Sequence, residues 1–235
     1  MKERPRNLLE WMPFLWSRVL FSGTQATSTA IRWPSLLILV VLPALLLYPT
    51  LDYYLLEPDE GRYAQIPREM RDRGDWVVPH LQGQPYLDKP PLLYWLVMLS
   101  YSLFGVSEAP ARLIPALAVH GTILLTYLLG RRSLGERSAF WGSLFLAVSP
   151  GFMGMGRILL LDGLLTFWIT LALFSTFEAI RGDRFRIGWW YLAAVAAGLG
   201  VLTKGPIPLL LIAPPIWLHR RLTTYSPLSA SERGV

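Results

Sequence analysis

PSLLILVVLPALLLYPTLDYY, residues 34–54, runs for 21 positions with Asp52 as its only charged side chain. A helix rises about 1.5 Å per residue, so ~20 apolar residues cross the ~30 Å hydrocarbon core of a bilayer. Comparable apolar segments follow at 90–104, 111–129, 138–156, 160–180, 188–203 and 206–218. Over the 235 residues 53% are hydrophobic and 16% charged, where a soluble domain carries about 25% charged residues. That excludes a soluble enzyme, a disordered chain and a coiled coil. The absence of cysteine removes disulfides, thiolate metal sites and Cys nucleophiles from consideration. The fold class expected is an all-α integral membrane bundle.

The formal net charge of +6 does not point to nucleic acid, because the basic residues sit where they orient a membrane protein. Lys2, Arg4, Arg6, Arg18 and Arg32 precede the first span. Arg131, Arg132 and Arg137, then Arg181, Arg184 and Arg186, then Arg220 and Arg221 separate or follow later ones. If every apolar segment crossed, these clusters would fall on both sides. The 90–104 segment, opened by Pro90-Pro91 and short for a span, is therefore read as a juxtamembrane helix. Six spans remain, with both termini and all basic clusters on the inner side. Residues 1–33 read as a cytoplasmic tail with an interfacial amphipathic helix, 34–218 as the membrane module, and 219–235 as a polar tail. The last span, 206–218, carries Pro206, Pro208, Pro214 and Pro215 and is expected to be broken.

This topology gathers the long loop 55–110, the Arg157–Asp162 turn and Lys204 on one outer face. Structureless loops of that length are uncommon in a compact protein unless they work. The loop opens Glu57-Pro58-Asp59-Glu60-Gly61-Arg62-Tyr63, and Tyr63, Ile66 and Met70 form an apolar stripe that predicts a helix along the outer surface. Asp59 serves either as a helix cap or as a reactive carboxylate. Glu60 is expected to be solvated or paired with Arg62. The loop closes Tyr86-Leu87-Asp88-Lys89-Pro90-Pro91, where Lys89 either snorkels beside Asp88 or aims an ammonium at a headgroup phosphate. Asp162 interrupts an apolar run and needs a partner unless it merely caps the span. Lys204 lies between two apolar segments, with snorkelling as its plain reading. Two carboxylates and two lysines on one face, beside aromatic residues able to stack on sugars, suit transfer from a lipid-phosphate donor. Charge builds on a phosphate as its bond breaks, fixed cations stabilise it, and a carboxylate orients or deprotonates the attacking group. No nucleotide-binding glycine loop is present, His80, His120 and His219 lack the spacing of a metal triad, and Gly151, Gly154 and Gly156 fit close packing or a bend.

The runs Glu57–Ala64, Gly74-Asp75-Trp76-Val77-Val78-Pro79 and Tyr86–Trp95 resemble the first-loop signatures of the aminoarabinose transferase-like glycosyltransferases. Those enzymes modify lipid A and belong to the wider group that includes protein O-mannosyltransferases. Asp162 before Leu164–Phe167, and Leu202–Pro206, are similar to later motifs of the family, and the match covers about residues 35–212. The resemblance implies a GT-C fold whose first-loop juxtamembrane helices cover a cavity for a polyprenyl-phosphate sugar. It implies Asp59 as principal catalytic carboxylate, Lys89 against the donor phosphate, and Asp162 as second acidic residue. Arg62, Tyr63, Tyr86 and Glu60 would line the donor site and Lys204 would help hold phosphate. Asp88 matches a position that joins a divalent metal site in some members, where Glu is common.

The expected partners are a polyprenyl-phosphate-linked sugar, a lipid or protein acceptor and membrane lipids, in a bacterial inner membrane with the site facing the periplasm. Family members are about twice this long or more. A second chain supplying a C-terminal half, a fragment and a natural short member are therefore all open. The competing functions are a non-catalytic lipid-binding subunit and a protein O-mannosyltransferase-type enzyme. A transporter fits less well, since its site would lie near the midplane.

Overall fold

The computed structural model describes residues 30–56, 58–181 and 185–224. The amphipathic helix expected before Trp33 and the polar tail beyond Thr224 lie outside them. The first apolar run forms α1 (Trp33–Leu47), started by Pro34 in its first turn, where a missing N–H costs nothing. A short 3-10 turn, Tyr48–Thr50, leads into the loop. Along the loop, α2 (Asp59–Arg73) buries Tyr63, Ile66 and Met70, the stripe read from the sequence, and ends at Gly74 with φ of 66°. A two-residue hairpin follows, β1 (His80–Leu81) against β2 (Gln84–Pro85), turning through Gln82 and Gly83, both at positive φ. Glu69 on α2 fixes this turn by accepting the amides of Gln82 at 2.8 Å and Gly83 at 3.1 Å.

Next comes α3 (Leu92–Phe104), whose 13 residues are too few for a bilayer. Leu93, Tyr94, Val97 and Met98 on it are fully buried against α2 and the loop. α4 (Glu108–Leu134) is about 40 Å long and the most enclosed span. α1 and the later helix over Ile187–Lys204 are the least enclosed candidate spans. After α4 come α5 (Glu136–Val148), α6 (Pro150–Arg157), α7 (Leu161–Ile180), α8 (Ile187–Lys204) and α9 (Ile207–Thr224).

Three apolar clusters hold this order. One joins α2, α3 and the N-terminal halves of α4 and α7. A second joins α1, α4, α5 and α6, and the third joins α7, α8 and α9. Among the described residues four helices (the α1 segment, α4, α7 and α8) are long and apolar enough to cross a membrane, or five if α5 and α6 form one broken span. The segment expected as a single span over 138–156 instead bends by 62° between α5 and α6. The cause is local: proline disfavours a helical residue before it, and Ser149 before Pro150 is extended at φ −72°, ψ 115°. α9 corrects the sequence reading in the other direction. It is one helix through Pro214 and Pro215 rather than a broken segment. It is not among the four, and its last turns carry His219, Arg220 and Arg221. The chain is a multi-pass, helical membrane protein, with the small hairpin as the only strand pair among the described residues.

Candidate active site

α2 starts at Asp59 itself, with Pro58 as the cap and no side-chain capping bond. The capping role considered for Asp59 is therefore not what its carboxylate does. It pairs instead with Arg62, one turn along, and stays half-exposed. Its neighbour Glu60 points the other way and is 1% exposed. Successive helical residues lie about 100° apart, so adjacent acids take opposite environments.

Glu60 is neither solvated nor paired with Arg62. It meets Arg112 of α4, itself 0% exposed, through two parallel 2.8 Å hydrogen bonds from Nε and Nη2. The carboxylate also accepts the amides of Leu56 at 2.8 Å and Leu159 at 2.6 Å. The rest of the guanidinium donates to the carbonyls of Leu51, Tyr53 and Tyr54, and lies 3.7 Å from the Tyr53 ring centre. Burial pushes the Glu60 carboxyl up, but the Arg112 hydrogen bonds and the Leu159 and Leu56 amides together carry it below the usual range. With both oxygens used, Glu60 holds the loop onto α4 and onto the residues just before α7. The sequence reading missed Arg112. A cation at the mouth of the apolar run 111–129 carries the same signal that singled out Asp162, an ionisable group in costly surroundings.

Around Asp59 the expected site residues do come together. The Tyr63 phenol is pushed up by burial and then by Tyr86 and Asp59, against Lys89 and Arg62, so these five groups share one field. Tyr86 donates to Asp88 at 3.2 Å. Asp88 pairs with Lys89 at 2.9 Å; that bond lowers the acid and raises the lysine, keeping both charged near neutrality. Pro90 and Pro91 set the turn into α3 immediately after Lys89. Trp95 in its first turns donates to the Trp76 carbonyl at 2.7 Å, tying α3 to the stretch that follows α2.

The partner demanded by Asp162 is Lys204, at 2.6 Å. Asp162 lies in the first turn of α7 and Lys204 in the last turn of α8, so the pair joins two antiparallel spans at one end of the bundle. Gly205, at φ 71°, turns the chain sharply there into α9. A cleft of about 480 Å³ opens between this turn and the loop, lined by Asp88, Lys89, Lys204 and Ile207 with apolar Val77 and Leu87. Two lysines from distant parts of the sequence thus face one cavity, each held by its own carboxylate. A phosphate oxygen suits that setting, since an ammonium offers three donors and a carboxylate can take only some of them.

The donor set fits a metal less well. Among the described residues no three of His, Cys, Asp and Glu lie together to hold one. The carboxylate of Asp88, the expected ligand, already serves Lys89 and Tyr86.

Comparison with known proteins places the chain at the level of family, sequence and architecture. A family model described as dolichyl-phosphate-mannose-protein mannosyltransferase matches residues 88–222. An undecaprenyl phosphate-alpha-4-amino-4-deoxy-L-arabinose arabinosyl transferase of Pseudomonas fluorescens is 36% identical over 207 residues, covering 85% of this chain and 36% of that protein. The corresponding protein of Pectobacterium atrosepticum is 34% identical over 209 residues, with 85% and 38% covered. Among solved structures, ArnT from Cupriavidus metallidurans bound to undecaprenyl phosphate superposes with a TM-score of 0.76 at 29% identity, covering 85% of this chain and 38% of that one. Its apo state gives 0.73 at 32% identity. The chain spans a little over a third of the length of the relatives it matches. Through a family match over more than half its residues and a shared architecture, the chain belongs to the dolichyl-phosphate-mannose-protein mannosyltransferase family, among its ArnT-like GT-C members.

Proposed function

We propose that the chain is the donor-binding part of a membrane glycosyltransferase that takes its sugar from a polyprenyl phosphate at the outer face of a bacterial inner membrane. The observation that carries this reading is the cleft where Lys89 and Lys204 converge. The relatives' names point to 4-amino-4-deoxy-L-arabinose as the sugar, and a lipid A-type molecule is the acceptor on that reading. In the transfer, the bond from the sugar's anomeric carbon to the carrier phosphate breaks and its electron pair stays on the phosphate oxygen. Lys89 and Lys204 stabilise that growing charge, and because they are fixed before reaction, little reorganisation is needed. The apolar wall at Val77 and Leu87 keeps the polyprenyl side of the cleft dry.

Asp59, exposed and steered by Arg62, faces the acceptor side in this assignment. A phosphate acceptor is already ionised near neutral pH and needs only orientation. A hydroxyl acceptor needs Asp59 as general base. Asp162 holds Lys204 in place, and Tyr63 and Tyr86 offer ring faces to the sugar. The outward orientation is supported by charge placement. Arg131, Arg132, Arg137, Arg181, Arg186, Arg220 and Arg221 lie at the far ends of the spans that carry the site.

The test is retention of undecaprenyl phosphate by the purified chain, read by native mass spectrometry. Binding is expected in wild type and in Asp59→Asn, and is lost in Lys89→Ala combined with Lys204→Ala. Undiminished retention in the double variant would reject the phosphate assignment. Separately, sugar transfer by a full-length relative carrying the Asp59→Asn equivalent should vanish, and wild-type turnover there would reject the carboxylate's role.

A further inference from the structure

At the opposite end of the bundle a second cavity, of about 430 Å³, is lined by Arg131, Arg132, Arg181 and Arg186. Beneath it Glu178 of α7 is 1% exposed and gathers three of these cations, at 3.2 Å from Arg181, 3.2 Å from Arg186 and 3.8 Å from Arg132. Arg181 also donates to the Arg132 carbonyl at 3.0 Å, and Arg132 lies over the Trp189 ring at 5.3 Å. Helix rise gives the distance from the first site. Arg131 follows Arg112 by 19 residues on α4, about 28 Å, and Glu178 follows Asp162 by 16 on α7, about 24 Å. The two cavities therefore sit at the two boundaries of the hydrocarbon core.

Orientation by the positive-inside rule asks only that arginines lie on that side. It does not ask four of them to face one cavity, where they repel one another. Glu178 brings one negative charge to the three arginines it gathers. Across residues 131–132 and 178–186 the sequence has five arginines against Glu178 and Asp183, an excess of three positive charges. The surroundings name the missing counter-charge. Leu134, Phe185, Ile187 and Trp190 are 64%, 58%, 54% and 44% exposed around the arginines, an apolar rim at the depth where headgroups meet acyl chains. Basic pockets between helix ends at that depth suit phosphate-bearing headgroups.

We propose that this arginine cavity is a binding site for a phosphate-bearing anion, supplied by an anionic phospholipid of the inner leaflet and separate from the donor cleft. Glu178 is its organising residue, holding guanidinium groups from α4, α7 and the start of α8 in one place so that a phosphodiester meets them together. Occupancy clamps the inner ends of these three spans, whose outer ends carry Arg112, Asp162 and Lys204.

The test uses the full chain in mild detergent with phosphatidylglycerol, phosphatidylcholine or inorganic phosphate added, read by native mass spectrometry and thermal stability. Phosphatidylglycerol is expected to be retained at least tenfold more than phosphatidylcholine, and to raise thermal stability. Arg131→Gln with Arg132→Gln leaves Arg181 and Arg186 to hold Glu178, and should weaken that retention roughly fivefold per arginine, about twenty-five-fold for the pair. Arg220→Gln with Arg221→Gln, outside the cavity, should leave it unchanged. Equal retention of the two lipids by wild type would overturn the proposal without any variant. Equal losses in both double variants would also overturn it, by showing a diffuse charge effect. Stabilisation by inorganic phosphate matching that by phosphatidylglycerol would overturn the lipid source and make a soluble phosphate compound the ligand.

Discussion

Removing either member of the Glu60–Arg112 pair should loosen the outer loop far more than an exposed ion pair would suggest. Both side chains are fully buried, and the pair accounts for two salt-bridging hydrogen bonds, three carbonyls and two amides. Breaking a buried pair from one side leaves the other charge uncompensated and costs about 3–5 kcal/mol. Arg112→Met strands the Glu60 carboxylate and three carbonyls. Glu60→Gln turns an amide donor toward the guanidinium. The double variant removes both charges, so its loss should fall short of the summed single losses by about 2 kcal/mol or more. The damage should also be local, since α1, α5 and α6 share a different apolar cluster. Hydrogen exchange in detergent reads this directly. The Leu56 and Leu159 amides should exchange about a hundredfold faster or more in either single variant, at one factor of ten per 1.4 kcal/mol. Amides in the middle of α5 should hardly change. Exchange at Leu56 and Leu159 within threefold of wild type, or strict additivity in the double variant, would refute the assignment of the pair as the loop's anchor.

Because the Glu60 carboxyl is lowered on folding, the stability it contributes is full above the usual carboxylate value of 4.5 and is lost as pH falls through the folded value. Thermal unfolding of wild type should therefore weaken below pH 4.5 by a component that Glu60→Gln lacks. Lys204→Met removes half of a partly exposed pair, so stability should drop by no more than about 1 kcal/mol. Undecaprenyl phosphate retention should nevertheless fall about tenfold, the scale of one charge-assisted hydrogen bond; equal retention would separate Lys204 from the phosphate. Two glycines of α6 should respond with opposite signs in thermal melts. A Cβ at Gly156 would lie 2.9 Å from Leu47 and 3.1 Å from the Val119 Cβ, both residues fully buried, so Gly156→Ala should cost about 1–3 kcal/mol. Gly154 has nothing within 4 Å, and its change to Ala should stabilise by up to ~1 kcal/mol through helix propensity alone.

What could be read from the sequence follows from how far each signal reaches along the chain. A span announces itself through 20 consecutive apolar residues, and the α2 stripe through contacts one turn apart, so both were legible. So was Asp88–Lys89, between neighbours. The glycines at 151, 154 and 156 allow a bend in this region, but hydropathy averages over the break and does not place it, although the Ser149-Pro150 step itself is a local signal. Lys204 and Asp162 were each singled out, yet their contact bridges 42 positions and depends on α7 and α8 packing antiparallel. Glu60–Arg112 bridges 52, and nothing within the loop says which of two adjacent acids turns inward. That choice is made by the rotation of α2 as Tyr63, Ile66 and Met70 bury themselves.

The adjacency of Asp59 and Glu60 matters for how such a loop can change over time. Glu60 is committed to architecture with both oxygens in use; Asp59 just before it is held only by Arg62. A chain built this way can explore new chemistry at the exposed position while its neighbour preserves the loop, so invention and foldability are governed by separate residues one peptide bond apart.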